Sequence, residues 1–191
     1  MIKTINEALD FYSGQEKKFS SFGASVLKKR AVPVEGLKQV ASDLSLPKSY
    51  VDFVNRYSVE GVTLGFFDLC PGDSKSICNS LKMLNGEFQN PLLPNNLLNV
   101  AGFDADIIGV EKATSEHEGG SVYFVDITTA PDASVKFLAN SFESFVVLAS
   151  ALDQIVLDEI GDPTNTIFEL ASEIGSSGQA ENWRHIASMV D

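Results

Sequence analysis

Leu46-Pro47-Lys48-Ser49-Tyr50-Val51-Asp52-Phe53-Val54-Asn55-Arg56-Tyr57 carries the strongest pattern in this chain of 191 residues. Pro47 presets the first turn of a helix. Tyr50, Phe53, Val54 and Tyr57 then recur at i, i+3, i+4 and i+7, which places four large side chains on one helical face. A stripe of this kind needs a partner surface. Upstream, Pro33 opens a helical stretch with Val34, Leu37, Val40, Ala41 and Leu44 on one stripe, and Ile5, Ala8, Leu9 and Tyr12 share the face of an earlier helix.

Downstream of the motif the pattern changes. Residues Gly61 to Leu69 (GVTLGFFDL) are apolar, β-branched and aromatic, and read as a strand. Residues 72–97 read as an insertion with a short helix around Lys75 to Leu84. Strands are expected over Leu97 to Phe103, Asp106 to Lys112 and Ser121 to Thr128, with Val135 to Ala139 as a further edge strand. Asp104-Ala105 and Glu118-Gly119-Gly120 are turns suited to antiparallel neighbours. Ser141 caps a helix whose inner face holds Phe142, Phe145, Val146, Ala149, Leu152 and Val156. Asp162-Pro163 breaks it, Thr166-Ile167-Phe168-Glu169 reads as the capping box of the next helix, which ends at Gly175, and a last helix carries Trp183, Ile186, Ala187 and Val190. Helices, then a run of strands, then helices again argue an α+β fold with a mostly antiparallel sheet flanked by helices.

Bulk composition narrows the function. Hydrophobic residues make up 44% and charged residues 21%, the balance of a folded globular chain. No apolar run reaches the roughly 18 residues of a membrane span. The N-terminus lacks the apolar core of a secretory signal, so a cytoplasmic location is expected. Cys70 and Cys78 have neither zinc-knuckle nor redox spacing, and read as thiols without a chemical role. The net charge is −12, unevenly spread: residues 1–60 carry nine bases and seven acids, residues 61–191 five bases and nineteen acids. Such a field repels nucleic acid and speeds encounter with basic partners.

Chemistry is sparse. There is no P-loop, G-x-S-x-G, G-x-G-x-x-G or H-E-x-x-H, and only two histidines, His117 and His185. Glu116-His117-Glu118 reads as a solvated turn rather than a metal site, and Asp104-Ala105-Asp106 as a hairpin turn rather than a cation-binding D-x-D. Lys28-Lys29-Arg30 is too short for a nucleic-acid stripe and reads as a solvated linker or a local electrostatic latch. No cofactor or metal is expected, and no catalytic role. An enzyme would need a hidden site built from Asp104, Asp106 and His117.

The segment Leu46 to Tyr57 resembles the "L-P-x-x-Y-x-x-F-x-x-x-Y" signature of the SUKH superfamily. The preceding helix, the Gly61 turn, the strand Gly119 to Asp126 and the Ser141-Phe142-Glu143-Ser144-Phe145 "F-x-x-F" helix are similar to the elements that follow in that family. The likeness spans roughly residues 32–150. Ser58-Val59-Glu60-Gly61 replaces the family's usual Asn-Gly-Gly, so that turn must differ. The resemblance implies a SUKH-like domain over 1–150, with 151–191 as a helical extension packed on it. Bacterial members are immunity proteins that neutralise polymorphic or contact-dependent toxins, often nucleases; fungal relatives regulate cell-wall synthesis and signalling. The expected partner is therefore a protein toxin, with a basic nuclease domain favoured by the acidic charge, bound stoichiometrically and without nucleic acid or membrane. The contact face is expected at Asp104, Asp106, Glu111, Glu116, Glu118 and Asp126, with Tyr123 as core. The alternative is a regulatory or scaffold module that uses its C-terminal helices.

Overall fold

The computed structural model describes residues 1–21, 23–128, 133–175 and 177–190. Among them the fold is α+β: seven helices, a six-stranded antiparallel sheet and a separate two-stranded ribbon. The N-terminal part runs α1 (Ile5–Ser21), β1 (Lys28–Lys29), α2 (Leu37–Leu44), α3 (Lys48–Arg56) and β2 (Tyr57–Ser58). It continues through β3 (Thr63–Leu64), β4 (Phe67–Asp68) and α4 (Ile77–Leu84). Then come β5 (Leu97–Phe103), β6 (Asp106–Glu111), β7 (Val122–Asp126) and β8 (Ser134–Ala139), and finally α5 (Phe142–Leu157), α6 (Pro163–Ile174) and α7 (Ser177–Ala187). The large sheet is a simple meander in the order β3-β4-β5-β6-β7-β8, so each strand lies beside its neighbour in sequence.

The motif helix does what its stripe requires. Tyr50 and Phe53 of α3 are fully buried and meet Phe142 of α5 edge-on, at centroid distances of 4.8 and 5.2 Å. Pro47 is the N-cap of α3, its extended backbone leading directly into the first turn. From Phe142 the ring contacts continue to Phe145, then to Phe67 of β4 and Trp183 of α7. One core thus joins α3, α5, the sheet and the C-terminal helices. Ser141 caps α5, accepting the Ser144 N–H at 3.2 Å. Residue 150, where the sequence divides domain from extension, lies inside α5.

The edge strand β8 is covered by α7. Asn182 Nδ2 donates to the Phe137 carbonyl at 2.8 Å and Trp183 Nε1 to the Leu138 carbonyl at 3.0 Å. This satisfies edge acceptors that would otherwise invite another chain. The opposite face of the sheet holds a smaller apolar cluster of Leu93, Leu97, Ile107 and Val125. Tyr123 is half-buried at its margin, its ring 5.7 Å from Phe137.

Several local readings are corrected. Gly61 to Leu69 is not one strand but a hairpin, with Thr63 paired to Asp68 and Leu64 to Phe67. Gly65 sits at φ 59, the left-handed conformation that lets Gly65-Phe66 reverse the chain in two residues. The second helix begins at Leu37 rather than Pro33, after Gly36 at φ 77. Helix α6 starts at Pro163, three residues before the expected capping box, because Asp162 is the N-cap and accepts the Thr164 N–H at 3.1 Å. The basic triplet divides: Lys28 and Lys29 form β1, while Arg30 is a partly buried latch, 2.6 Å from Glu60 and donating through Nε to the Val54 carbonyl at 2.9 Å.

Candidate functional site

The β5–β6 hairpin turns on Asp104-Ala105, with Asp104 at φ 51, a conformation that aspartate tolerates better than most residues. Asp106, the first residue of β6, alternates with Ile107 and so faces the helix layer with Ile108 and Val110. It is only 6% exposed. The β6–β7 register pairs Ile107 with Val125, so the next position along sets Asp106 opposite Asp126, itself 8% exposed. Two carboxylates therefore share the end of the sheet.

Each is partly satisfied by backbone. Asp106 Oδ1 accepts the Ile127 N–H at 2.9 Å, and Asp126 Oδ1 accepts from Thr128 through N–H at 2.9 Å and Oγ1 at 2.6 Å. The other oxygen of Asp106 has no hydrogen-bond partner among the described residues and is not one of their fully buried unsatisfied atoms, so it reaches the cavity. Burial, and then the charges of Asp126 and Asp104, hold the Asp106 carboxyl above its ordinary pKa, against the Ile127 N–H and Lys136. Nearby on α7, His185 is pushed down by desolvation and by Lys136, against Asp126.

Asp104 and Asp106 line a cavity of about 570 Å³ together with Phe66, Phe103, Thr128 and Met189. Phe66 projects from the Gly65 turn and Met189 lies two residues beyond α7; they are 49% and 45% exposed. The Phe66 ring stands 6.2 Å from that of Phe103. Exposed apolar side chains beside carboxylates make a site for a group with both an apolar stem and a positive charge.

The remaining acidic candidates lie elsewhere. Glu111 ends β6, about 17 Å from Asp106 at ~3.4 Å per residue. Glu116 and Glu118 are exposed in the loop beyond it. Glu111 and His117 line a second cavity of about 510 Å³. There, His117 Nδ1 accepts the Gly119 N–H at 2.9 Å and lies 3.8 Å from Glu111 Oε2. The six candidates thus form two groups at opposite ends of β6, and His117 is apart from Asp104 and Asp106. Among the described residues no group of three or more His, Cys, Asp or Glu is placed to hold a metal ion. The sequence reading missed Phe66, Phe103 and Met189; an aromatic directly after a glycine between apolar pairs was the only local sign of the exposed turn.

The fold is α+β, with an acidic and partly apolar cavity at one end of its large sheet. No family model matches the chain, and no curated protein or solved structure is significantly similar to it. No helix among the described residues is long and apolar enough to cross a membrane.

Proposed function

We propose that the chain is an immunity protein of the SUKH type, which binds a cognate toxin in the cytoplasm and blocks it stoichiometrically. The toxin proposed is basic, of the nuclease kind. The observation that carries the reading is the cavity at the Asp104–Asp106 turn: two carboxylates and two exposed apolar side chains converge there. They do so on a chain whose residues 61–191 hold nineteen acids against five bases. A nuclease cleft presents cationic side chains to phosphate, and an acidic, partly apolar surface can occupy it while steering the encounter. The Leu46 to Tyr57 resemblance points the same way.

The test is co-expression with the C-terminal domain of the protein encoded by the adjacent upstream gene, in a strain that reports toxicity. Restored growth and a complex that survives gel filtration are the expected results; no rescue and no complex would sink the reading. The regulatory alternative, centred on the C-terminal helices, loses its most prominent contact residue, since Trp183 is fully buried.

A further inference from the structure

We propose that the cavity at the end of the sheet receives an arginine side chain of the partner, its guanidinium lying on the Phe66 ring and paired with Asp104 and Asp106. The inference deepens the toxin-binding reading, and rests on it only in assigning the arginine to a toxin.

The chemistry of the lining selects the ligand. Asp106 is nine-tenths buried, lines the cavity and has one carboxylate oxygen without a partner among the described residues. Opposite it lies Asp126, and Asp104 stands in the adjoining turn, so an incoming cation relieves repulsion already built into the strand ends. Phe66 is half exposed and offers a ring face, while Met189 and Phe103 supply apolar walls for an aliphatic stem. A guanidinium meets all three demands: it is planar, stacks on a ring and donates in a fork to carboxylates. An ammonium would use the charges, but it has no planar face to stack on the ring and no fork to bridge carboxylates. A divalent ion would leave the ring and the thioether without a role.

The test needs no toxin. The intact, isotope-labelled protein is titrated with N-acetyl-arginine amide, and with the corresponding lysine and neutral citrulline amides, while backbone amide resonances are followed. The expected result is saturable shifts at Phe66, Asp104, Asp106, Ile127 and Met189 with the arginine probe. Binding should be several-fold weaker with lysine and absent with citrulline. Asp106→Asn, which keeps an acceptor for the Ile127 N–H, and Phe66→Ala, at an exposed position, should each abolish the shifts with the rest of the spectrum unchanged. Binding should also fade as the pH falls through the acid range and Asp106 takes up its proton. The groups facing that carboxyl are Asp104 in the turn, Asp126 and Lys136 across the sheet, and His185 on α7 beside Asp126.

Absence of shifts, equal response to lysine, or indifference to Phe66→Ala would each overturn the proposal. So would the same shifts produced by calcium or magnesium alone. Arginine-specific shifts in a protein that fails to rescue growth keep the pocket and remove the toxin. Undiminished rescue by Asp106→Asn keeps the toxin and removes the pocket as its contact.

Discussion

Asp106 and Asp126 face each other across the β6–β7 pair, two nearly buried carboxylates at one end of the sheet. Like charges directly opposite on neighbouring strands oppose folding. Burial first, and then Asp126 and Asp104, raise the Asp106 carboxyl above its ordinary value. In strong acid, where folded and unfolded chains both hold the proton, this costs nothing. As the pH rises past the unfolded value, the unfolded chain ionises first, so stability declines until the folded carboxyl has also ionised; the penalty is then constant. Asp106→Asn should therefore stabilise the protein at neutral pH by roughly 0.2–1 kcal/mol. The gain should vanish in strong acid. Urea unfolding of both proteins across that range checks it, and a loss of stability at neutral pH would show that Asp106 serves the fold.

A third buried carboxylate, that of Asp153, lies beside the Phe66 turn. Tyr12 Oη donates to Asp153 Oδ2 at 2.8 Å, and Gly65 lies directly beside that carboxyl. Burial raises the Asp153 carboxyl, and the Tyr12 hydroxyl and the Gly65 N–H, as donors facing it, oppose the rise. Tyr12→Phe removes one of them, and should cost about 1–3 kcal/mol at neutral pH. Because the carboxyl is raised, the cost should shrink as the pH falls below the folded value and the proton returns. Gly65→Ala acts on the same contact from the other side. Its φ of 59 disfavours a side chain, and a Cβ would lie 3.1 Å from Asp153 Oδ1. About 1–2 kcal/mol is expected from the backbone alone. Thermal melts measure both variants, and a pH-independent Tyr12→Phe would argue against an ionised Asp153.

The helices were legible because their stripes are local: Tyr50, Phe53 and Val54 announce α3 whatever lies beside it. The strands from Leu97 to Ala139 were legible for the same reason, as short apolar runs between turn residues. The hairpin at Gly65 was not, since the carboxylate beside it comes from α5, far along the chain. Neither was the pocket. Asp104 and Asp106 could be singled out, but setting Asp126 opposite Asp106 depends on strand register, and Met189 arrives only when α7 docks. Glu111 ends the same strand that Asp106 begins, so the strand expected over Asp106 to Lys112 already separated these two acids along the chain.

The two cysteines should differ in reactivity. Cys70 is 1% exposed and its Sγ donates to the Asp73 carbonyl at 3.1 Å. Burial above all pushes this thiol up to about 12, and the carboxylates of Glu60, Asp68 and Asp73 add to the effect. Cys78, on α4, is only half-buried, and its smaller upward shift also comes from burial. A thiol reagent at mildly alkaline pH should label Cys78 in the native protein and reach Cys70 only on unfolding, because the thiolate is the reacting form. Peptide mapping after timed labelling decides it, and equal rates at both positions would contradict the buried placement of Cys70.

Trp183 is the single tryptophan and reports whether α7 is docked. It is fully buried, stacks on Phe145 at 6.0 Å, lies 5.9 Å from Phe67 and donates to the Leu138 carbonyl on β8. Its emission should be blue-shifted in the native protein. Trp183→Phe keeps an aromatic ring in the core but orphans the Leu138 carbonyl, and should cost about 1–3 kcal/mol. Trp183→Ala also opens a cavity between α5, β4 and α7, and should cost about 3–5 kcal/mol. The larger loss has a second consequence. Releasing α7 uncovers the β8 edge, so the alanine variant should self-associate where the phenylalanine variant stays monodisperse by light scattering. Met189 would leave the cavity wall in the same step, so the arginine probe should still shift Asp106 in Trp183→Phe and fail to do so in Trp183→Ala. An alanine variant that stays monodisperse and binds the probe normally would mean that α7 holds to the sheet without its tryptophan.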